Sequence, residues 1–204
     1  TYDALALEQG AGVVLSNKAP LALPQRDPRS RVLWSQARSN GHLRYEATVG
    51  AGLPVISTLH TLLDTGDTPR EITGMLSGTF GAIFSDVASG TPFAQAVRTA
   101  KDAGFTEPDP RDDLSGLDVA RKALILARTC GQQVDLSGIE VRSFVPDELA
   151  DGGIDAFLDG ITAINRTFLI GASNALLAKH TVYTARQSPE QTCEAILASL
   201  TNGQ

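Results

Sequence analysis

Sulfur is scarce in this chain, with two cysteines and one methionine among 204 residues. Cys130 and Cys193 form neither a metal-type spacing nor a disulfide framework, so two reduced thiols in a cytoplasmic protein are expected. Basic charge is also short. Seventeen Lys and Arg stand against twenty-three Asp and Glu, and the net charge of −6 leaves no electrostatic footprint for nucleic acid. An acidic average does not forbid a local basic pocket, because small anions are recognised by a site and not by a total. No apolar run approaches the roughly 18 residues needed to span a membrane, so no membrane partner is expected. Thr1-Tyr2-Asp3-Ala4 lacks the basic and apolar regions of a signal peptide. His42, His60 and His180 are isolated, fit no nucleophile or metal pattern, and are taken as structural. There is no internal repeat, no low-complexity tract and no G-x-G-x-x-G fingerprint.

What is present is an adequate core, with 42% apolar residues, divided among short elements. Tyr2 to Gln9 reads as a helix stopped by Gly10 and followed by the short strand Val13–Leu15. This is half of an α/β unit, with nothing upstream for its strand to pair with. Residues 24–44 read as a loop leading into a partly helical stretch. Leu53 to Leu63 is a helix with Pro54 in its first turn and Gly66 as its stop. Glu71 to Leu76 reads as a strand. Two amphipathic helices follow, one carrying Phe80, Ile83, Phe84 and Val87, the other spanning Pro92 to Ala103. Phe105 to Pro110 cannot be helical, because Pro108 and Pro110 each bar the α region to the residue before them. One long helix is then expected from about Asp112 to Thr129, closed by Gly131. Further on, a strand is expected at Ile139–Ser143 and helices at Ile154–Ile164 and Pro189–Leu200, with short apolar runs at Phe168–Ile170 and Thr181–Tyr183.

The chemistry concentrates between Gly104 and Lys122. Five acids fall within the twelve residues from Glu107 to Asp118, just after a proline-stiffened segment. Carboxylates at a helix start have a plain explanation as caps and dipole partners, which covers Asp112 and Asp113. Capping does not require Glu107, Asp109, Asp118 and Lys122 as well. Asp118 and Lys122, four apart, share one helix face. On an open surface such a pair stabilises by roughly 0.3–0.5 kcal/mol and nothing more. On a continuous helix at about 100° per residue, Leu114 and Ile125 lie close to this face, and Leu117, Ala120 and Leu124 fill the other side. The pair is therefore expected to be enclosed. An enclosed lysine can have its pKa moved toward neutrality and exchange protons with an alcohol or carbonyl.

These residues resemble the signature of homoserine dehydrogenases, in which a helix carries an aspartate and a lysine four apart after a Glu-x-Asp-Pro loop. The similarity extends through Asn17-Lys18, Tyr45-Glu46-Ala47-Thr48-Val49-Gly50-Ala51-Gly52-Leu53-Pro54 and Leu76-Ser77-Gly78-Thr79, over roughly residues 13 to 131. The resemblance implies an α/β fold: an α+β catalytic domain with a mixed sheet covered by helices, plus a remnant of a Rossmann-type nucleotide-binding domain. Residues 1–44 would be the remnant, and 45–204 the substrate-binding and dimerisation domain, atypical after about 146. It implies Lys122 as proton donor and acceptor and Asp118 as its partner in catalysis and substrate binding. Glu107 and Asp113 would line the substrate pocket. Lys18, Gly104 and Glu107 would meet an NAD or NADP cofactor. The turn with Glu46, Val49, Ala51 and Leu53 would offer oxygens, largely backbone carbonyls, to a sodium ion; the rival reading is a tight connection with ordinary glycines. The implied substrates are L-homoserine and L-aspartate 4-semialdehyde, on the path to threonine, methionine and isoleucine, and the implied assembly is a homodimer.

The chain also departs from the family. The phosphate-binding turn is missing, so this polypeptide alone is expected to bind cofactor poorly and to be inactive or nearly so. The family's Gly/Ala-rich return to the nucleotide domain is represented only by Gly171-Ala172-Ser173-Asn174. Two alternatives stay open: a non-catalytic oligomerisation module, and a piece of a bifunctional aspartate kinase–homoserine dehydrogenase.

Overall fold

Proline and glycine punctuate the chain into short elements, and the computed structural model describes residues 2–38, 41–162 and 182–183. Helix α1 (Tyr2–Glu8) ends at Gly10, whose φ of +78° turns the chain into strand β1 (Val13–Val14). Pro28, with its preset φ, opens α2 (Pro28–Arg38), which leads to β2 (Leu43–Arg44). β1 and β2 pair in parallel, Val13 opposite Leu43 and Val14 opposite Arg44. The first strand thus finds its partner downstream and not upstream, across a β–α–β connection. Helices α3 (Val55–Asp64), α4 (Gly78–Ala88) and α5 (Phe93–Asp102) fall within a few residues of their expected positions.

Three expectations need correction. The strand over Glu71–Leu76 is only two residues long: β3 (Glu71–Ile72) pairs antiparallel with β4 (Val182–Tyr183). Ile139–Ser143 is not a strand. It runs irregularly, with Val141 lying over Gly116, and just beyond it the Phe144 N–H donates to the Leu114 carbonyl. The long helix expected from Asp112 to Thr129 is two helices, α6 (Pro110–Leu114) and α7 (Leu117–Thr129). Gly116 separates them at φ +75°, a left-handed conformation that no helix interior contains. Leu114 therefore cannot be placed by α7's periodicity, and Leu117 is 40% exposed instead of packed. Residues 154–162 are helical (α8), the last helix among the described residues. The expectations for Phe168–Ile170, Gly171–Asn174, His180, Pro189–Leu200 and Cys193 lie outside the described residues.

The apolar residues gather into two main clusters, and α7 serves both. One holds Phe80, Ile83, Phe84, Phe93, Val97, Leu114, Val119 and Phe157, with Phe144 inserted among the rings at 5.3 Å from Phe80 and from Phe84. The other holds Leu7, Leu21, Leu33, Trp34, Leu43, Tyr45, Ile56, Ile125 and Leu126. Each such side chain contributes about 1.5–3 kcal/mol by leaving water. From Ala123 to Thr129 every residue of α7 is buried, but the enclosure expected around Asp118 and Lys122 is incomplete, because the first turn keeps Leu117 40% and the Asp118 side chain 43% exposed. Its first turns, carrying Asp118 and Lys122, stand where the two clusters meet. His60 is structural in the sense expected, its Nε2 lying 2.9 Å from the Tyr45 hydroxyl.

Candidate functional site

The loop before α6 is shaped by its prolines. Pro110 requires an extended residue before it, and Asp109 complies with φ −103° and ψ 111°. Its carboxylate caps α6 by accepting from the Arg111 N–H, and the Arg111 guanidinium clasps both of its oxygens at 2.6–3.1 Å. That guanidinium holds the Asp109 carboxyl below its ordinary range, against the opposing push of burial. Asp113 anchors the other side of the loop. Its Oδ2 accepts from the Glu107 N–H at 2.7 Å, and its Oδ1 lies 3.0 Å from the Thr79 hydroxyl. The same hydroxyl is 2.7 Å from the Phe105 carbonyl. The residues from Phe105 to Glu107 are thereby fixed to the start of α4, while the Glu107 side chain itself is exposed.

Gly116 reverses the chain and α7 begins at once, which puts Asp118 in its first turn and Lys122 one turn later. Lys122 Nζ lies 2.8 Å from Asp118 Oδ2 and donates to the Leu76 carbonyl at 2.6 Å. Asp118 Oδ1 takes a second ammonium, that of Lys18, at 3.0 Å. One carboxylate thus spans two lysines that lie far apart in sequence, Lys18 and Lys122. Burial pushes the Asp118 carboxyl up, but hydrogen bonds from Lys122 and from Lys18 outweigh it, and the group titrates below the usual carboxylate range. The enclosure is one-sided: Lys122 is 17% exposed and Asp118 43%.

The remaining expected site residues are placed as follows. Gly104 follows α5 at φ +72°, with its N–H on the Lys101 carbonyl and open space where a Cβ would stand. Its glycine is required by the left-handed turn that ends the helix, not by a close neighbour. At the Glu46 turn, Gly50 (φ +87°) is followed by Ala51 (φ +52°), the one non-glycine with positive φ among the described residues. A Cβ on Gly50 would come within 2.4 Å of Val55 Cγ2. The Glu46 carboxylate accepts from the Ile56 and Ser57 N–H groups at 2.9 and 2.8 Å, and so caps α3. The Leu53 carbonyl accepts from Val55, and Val49 is fully buried. The structure thus gathers Lys18, Asp118 and Lys122 into one ion-paired group, with Leu76 supplying a carbonyl that sequence reasoning missed. Glu107 and Asp113 form a second group on the adjoining loop. The Glu46–Leu53 turn stands apart from both, at the start of α3. A cleft of about 250 Å³ lined by Ala4, Leu5, Glu8, Pro28, Arg29 and Val32 contains none of these residues.

A family model described as homoserine dehydrogenase matches residues 54–195, more than half of the chain. The chloroplastic bifunctional aspartokinase/homoserine dehydrogenase 2 of Arabidopsis thaliana is 49% identical over 143 residues, which are 70% of this chain and 16% of that protein. The homoserine dehydrogenase of Saccharomyces cerevisiae is 40% identical over 162 residues, 76% of this chain and 45% of the yeast protein. A hyperthermophilic archaeal homoserine dehydrogenase, solved in complex with NADPH, superimposes with a TM-score of 0.54 at 31% identity, covering 63% of this chain and 39% of that one. The chain spans less than half the length of each of these relatives.

Proposed function

This chain belongs to the homoserine dehydrogenase family, and from that premise we propose that it carries the substrate-side machinery of an NAD(P)-dependent interconversion of L-homoserine and L-aspartate 4-semialdehyde. The observation that carries the proposal is the placement of Lys122. An ammonium has three N–H donors. One meets Asp118 and one the Leu76 carbonyl, which leaves one for a reacting oxygen. A nicotinamide cofactor, when bound, supplies or receives the hydride at the carbon. In the reducing direction the Lys122 ammonium gives its remaining proton to the aldehyde oxygen, which becomes the hydroxyl of homoserine; in the oxidising direction the amine takes that proton back. Asp118 holds the lysine in place through the 2.8 Å ion pair. Lys18, just past β1, lies at the carboxyl end of a parallel strand, where α/β folds bind ligands, and is proposed to face cofactor or substrate. Glu107, exposed on a fixed backbone, is free to accept from the substrate ammonium or to face the cofactor, and Asp113 supports it through the loop. The backbone at Gly104 is open to a cofactor's approach.

A sodium ion at the Glu46–Leu53 turn is part of the same proposal, resting on backbone oxygens because the Glu46 carboxylate already serves the α3 amides. Ala51 supports it: a non-glycine residue held at positive φ stores about 1–2 kcal/mol and marks backbone shaped for a purpose. A cytoplasmic homodimer is the assembly we propose. A second reading, that the chain is a segment of a bifunctional aspartokinase/homoserine dehydrogenase, is favoured by the name of the Arabidopsis relative and the small share of it that is matched.

The test is Lys122→Ala in the enzyme with its nucleotide-binding part present. Turnover of homoserine should fall by about 10²–10⁴-fold, with KM changing far less. Near-normal turnover would remove Lys122 from this role. Dimerisation without any homoserine binding would turn the proposal into an oligomerisation module.

A further inference from the structure

Arg128 lies on the same helix as Asp118, about 15 Å further along at 1.5 Å per residue. It is 2% exposed, yet its guanidinium is engaged at every nitrogen. Nε donates to the Val134 carbonyl at 2.9 Å, Nη1 to the Leu21 and Leu23 carbonyls at 2.8 Å each, and Nη2 to Asp135 Oδ1 at 2.7 Å. The Trp34 indole N–H donates to the same Leu21 carbonyl at 3.2 Å, and the Trp34 ring lies beneath the guanidinium. A buried guanidinium costs several kcal/mol unless its donors are met. A leucine would fill this helix face more simply. What an arginine adds is a rigid fork that holds particular carbonyls in place.

Those carbonyls belong to the segment that carries Lys18. The Ala22 N–H donates to the Lys18 carbonyl at 3.0 Å, and the Ala19 N–H to Asn17 Oδ1 at 2.9 Å. Pro20 and Leu21 are buried in the single helical turn that follows. The segment is short and internally bonded, so fixing Leu21 and Leu23 fixes the backbone from which Lys18 reaches out. Helix α7 therefore grips one segment at two points, through Asp118 at its start and Arg128 at its end. We propose that Arg128 is a positioning residue that sets the Lys18 ammonium against Asp118. Its consequence for turnover rests on the function proposed above, but the placement itself is testable without it.

The test follows the Asp118 carboxyl by carbon-13 NMR through an acid titration of the full chain, in the wild type and in Lys18→Met, Arg128→Lys and Asp135→Ala. Lys18→Met should move the Asp118 midpoint upward, because one of its two ammonium partners is gone. Arg128→Lys keeps the charge but cannot reach three carbonyls and a carboxylate with three donors on one nitrogen, and should reproduce that upward move to a comparable extent. If Arg128→Lys does not fold, Asp135→Ala decides. It removes the counter-ion from a partly exposed position, loosens the guanidinium, and should give a smaller move in the same direction. An unchanged Asp118 midpoint in a folded Arg128→Lys, or in Asp135→Ala where only that variant folds, would overturn the proposal, and so would an unchanged midpoint in Lys18→Met, since Lys18 would then not be seated against Asp118. Because no turnover is measured, loss of the dehydrogenase reading and loss of this one give different results.

Discussion

Replacing Glu46 separates two uses of one carboxylate. Helix α3 begins after Pro54, which has no side-chain acceptor for the helix's first amides. Glu46 supplies it from outside, with one oxygen on Ile56 and the other on Ser57, the second and third residues of the helix. A missing cap costs about 1 kcal/mol, and a carboxylate at a helix N-terminus adds about 0.3–1 kcal/mol through the dipole. Glu46→Gln keeps one acceptor and loses the charge, so a loss of about 1 kcal/mol is expected; Glu46→Ala loses both, for about 2 kcal/mol. In a chain of this size that is a fall in Tm of about 3 and about 6 °C. The assay is thermal and urea unfolding in sodium, potassium and choline chloride at matched ionic strength. A cap is indifferent to the cation, whereas a ligand of sodium would stabilise in proportion to the logarithm of sodium concentration. A loss seen in sodium alone, or a loss below about 0.5 kcal/mol for Glu46→Ala, would refute the capping argument.

The parts of the site that sequence made legible are those fixed by local covalent rules. Pro108 and Pro110 dictate an extended approach, and an aspartate and lysine four apart on a helix must share a face whatever surrounds them. The parts that stayed hidden depend on distant partners. No pattern announces that Lys18 will meet a carboxylate a hundred positions away, or that a carbonyl at Leu76 will accept a hydrogen bond from Lys122. Arg128, near the end of α7, looks in sequence like an ordinary cation at a helix C-terminus. Only packing shows it buried. The division at Gly116 was obscured for another reason. Leu114, Leu117, Ala120 and Leu124 keep helical spacing across the break, so apolar periodicity ran through a glycine that local geometry had already placed outside the helix. The strands were legible in part: the run Val13–Leu15 forms β1 and the start of Glu71–Leu76 forms β3, but two-residue pairings such as β1–β2 and β3–β4 are too short for alternation to fix their ends or partners.

The depressed Asp118 carboxyl makes a sign-definite claim about pH. Its contribution to stability is fully present above the ordinary value of 3.8 and is lost as pH falls through its lower folded value. Melting curves of the wild type and Asp118→Asn should therefore differ near neutrality and converge in acid; a gap that persists below the folded midpoint would contradict this. Gly116→Ala tests the break between α6 and α7 by the sign of its effect. If the chain were one helix from Pro110 to Thr129, alanine would replace glycine in a helix interior and stabilise by about 1 kcal/mol. With φ at +75°, alanine is instead forced into the left-handed region, at about 1–2 kcal/mol of destabilisation. Its Cβ would also stand 3.2 Å from Val141 Cγ1, but Val141 is 43% exposed and can give way, so backbone strain decides the outcome. Gly116→Asn, whose side chain tolerates this conformation, should cost less than Gly116→Ala. Urea unfolding of the two variants beside the wild type measures both terms. A stabilised Gly116→Ala would mean that Asp118 sits mid-helix, and the first-turn placement that lets it receive Lys18 from one side and Lys122 from the other would have to be abandoned.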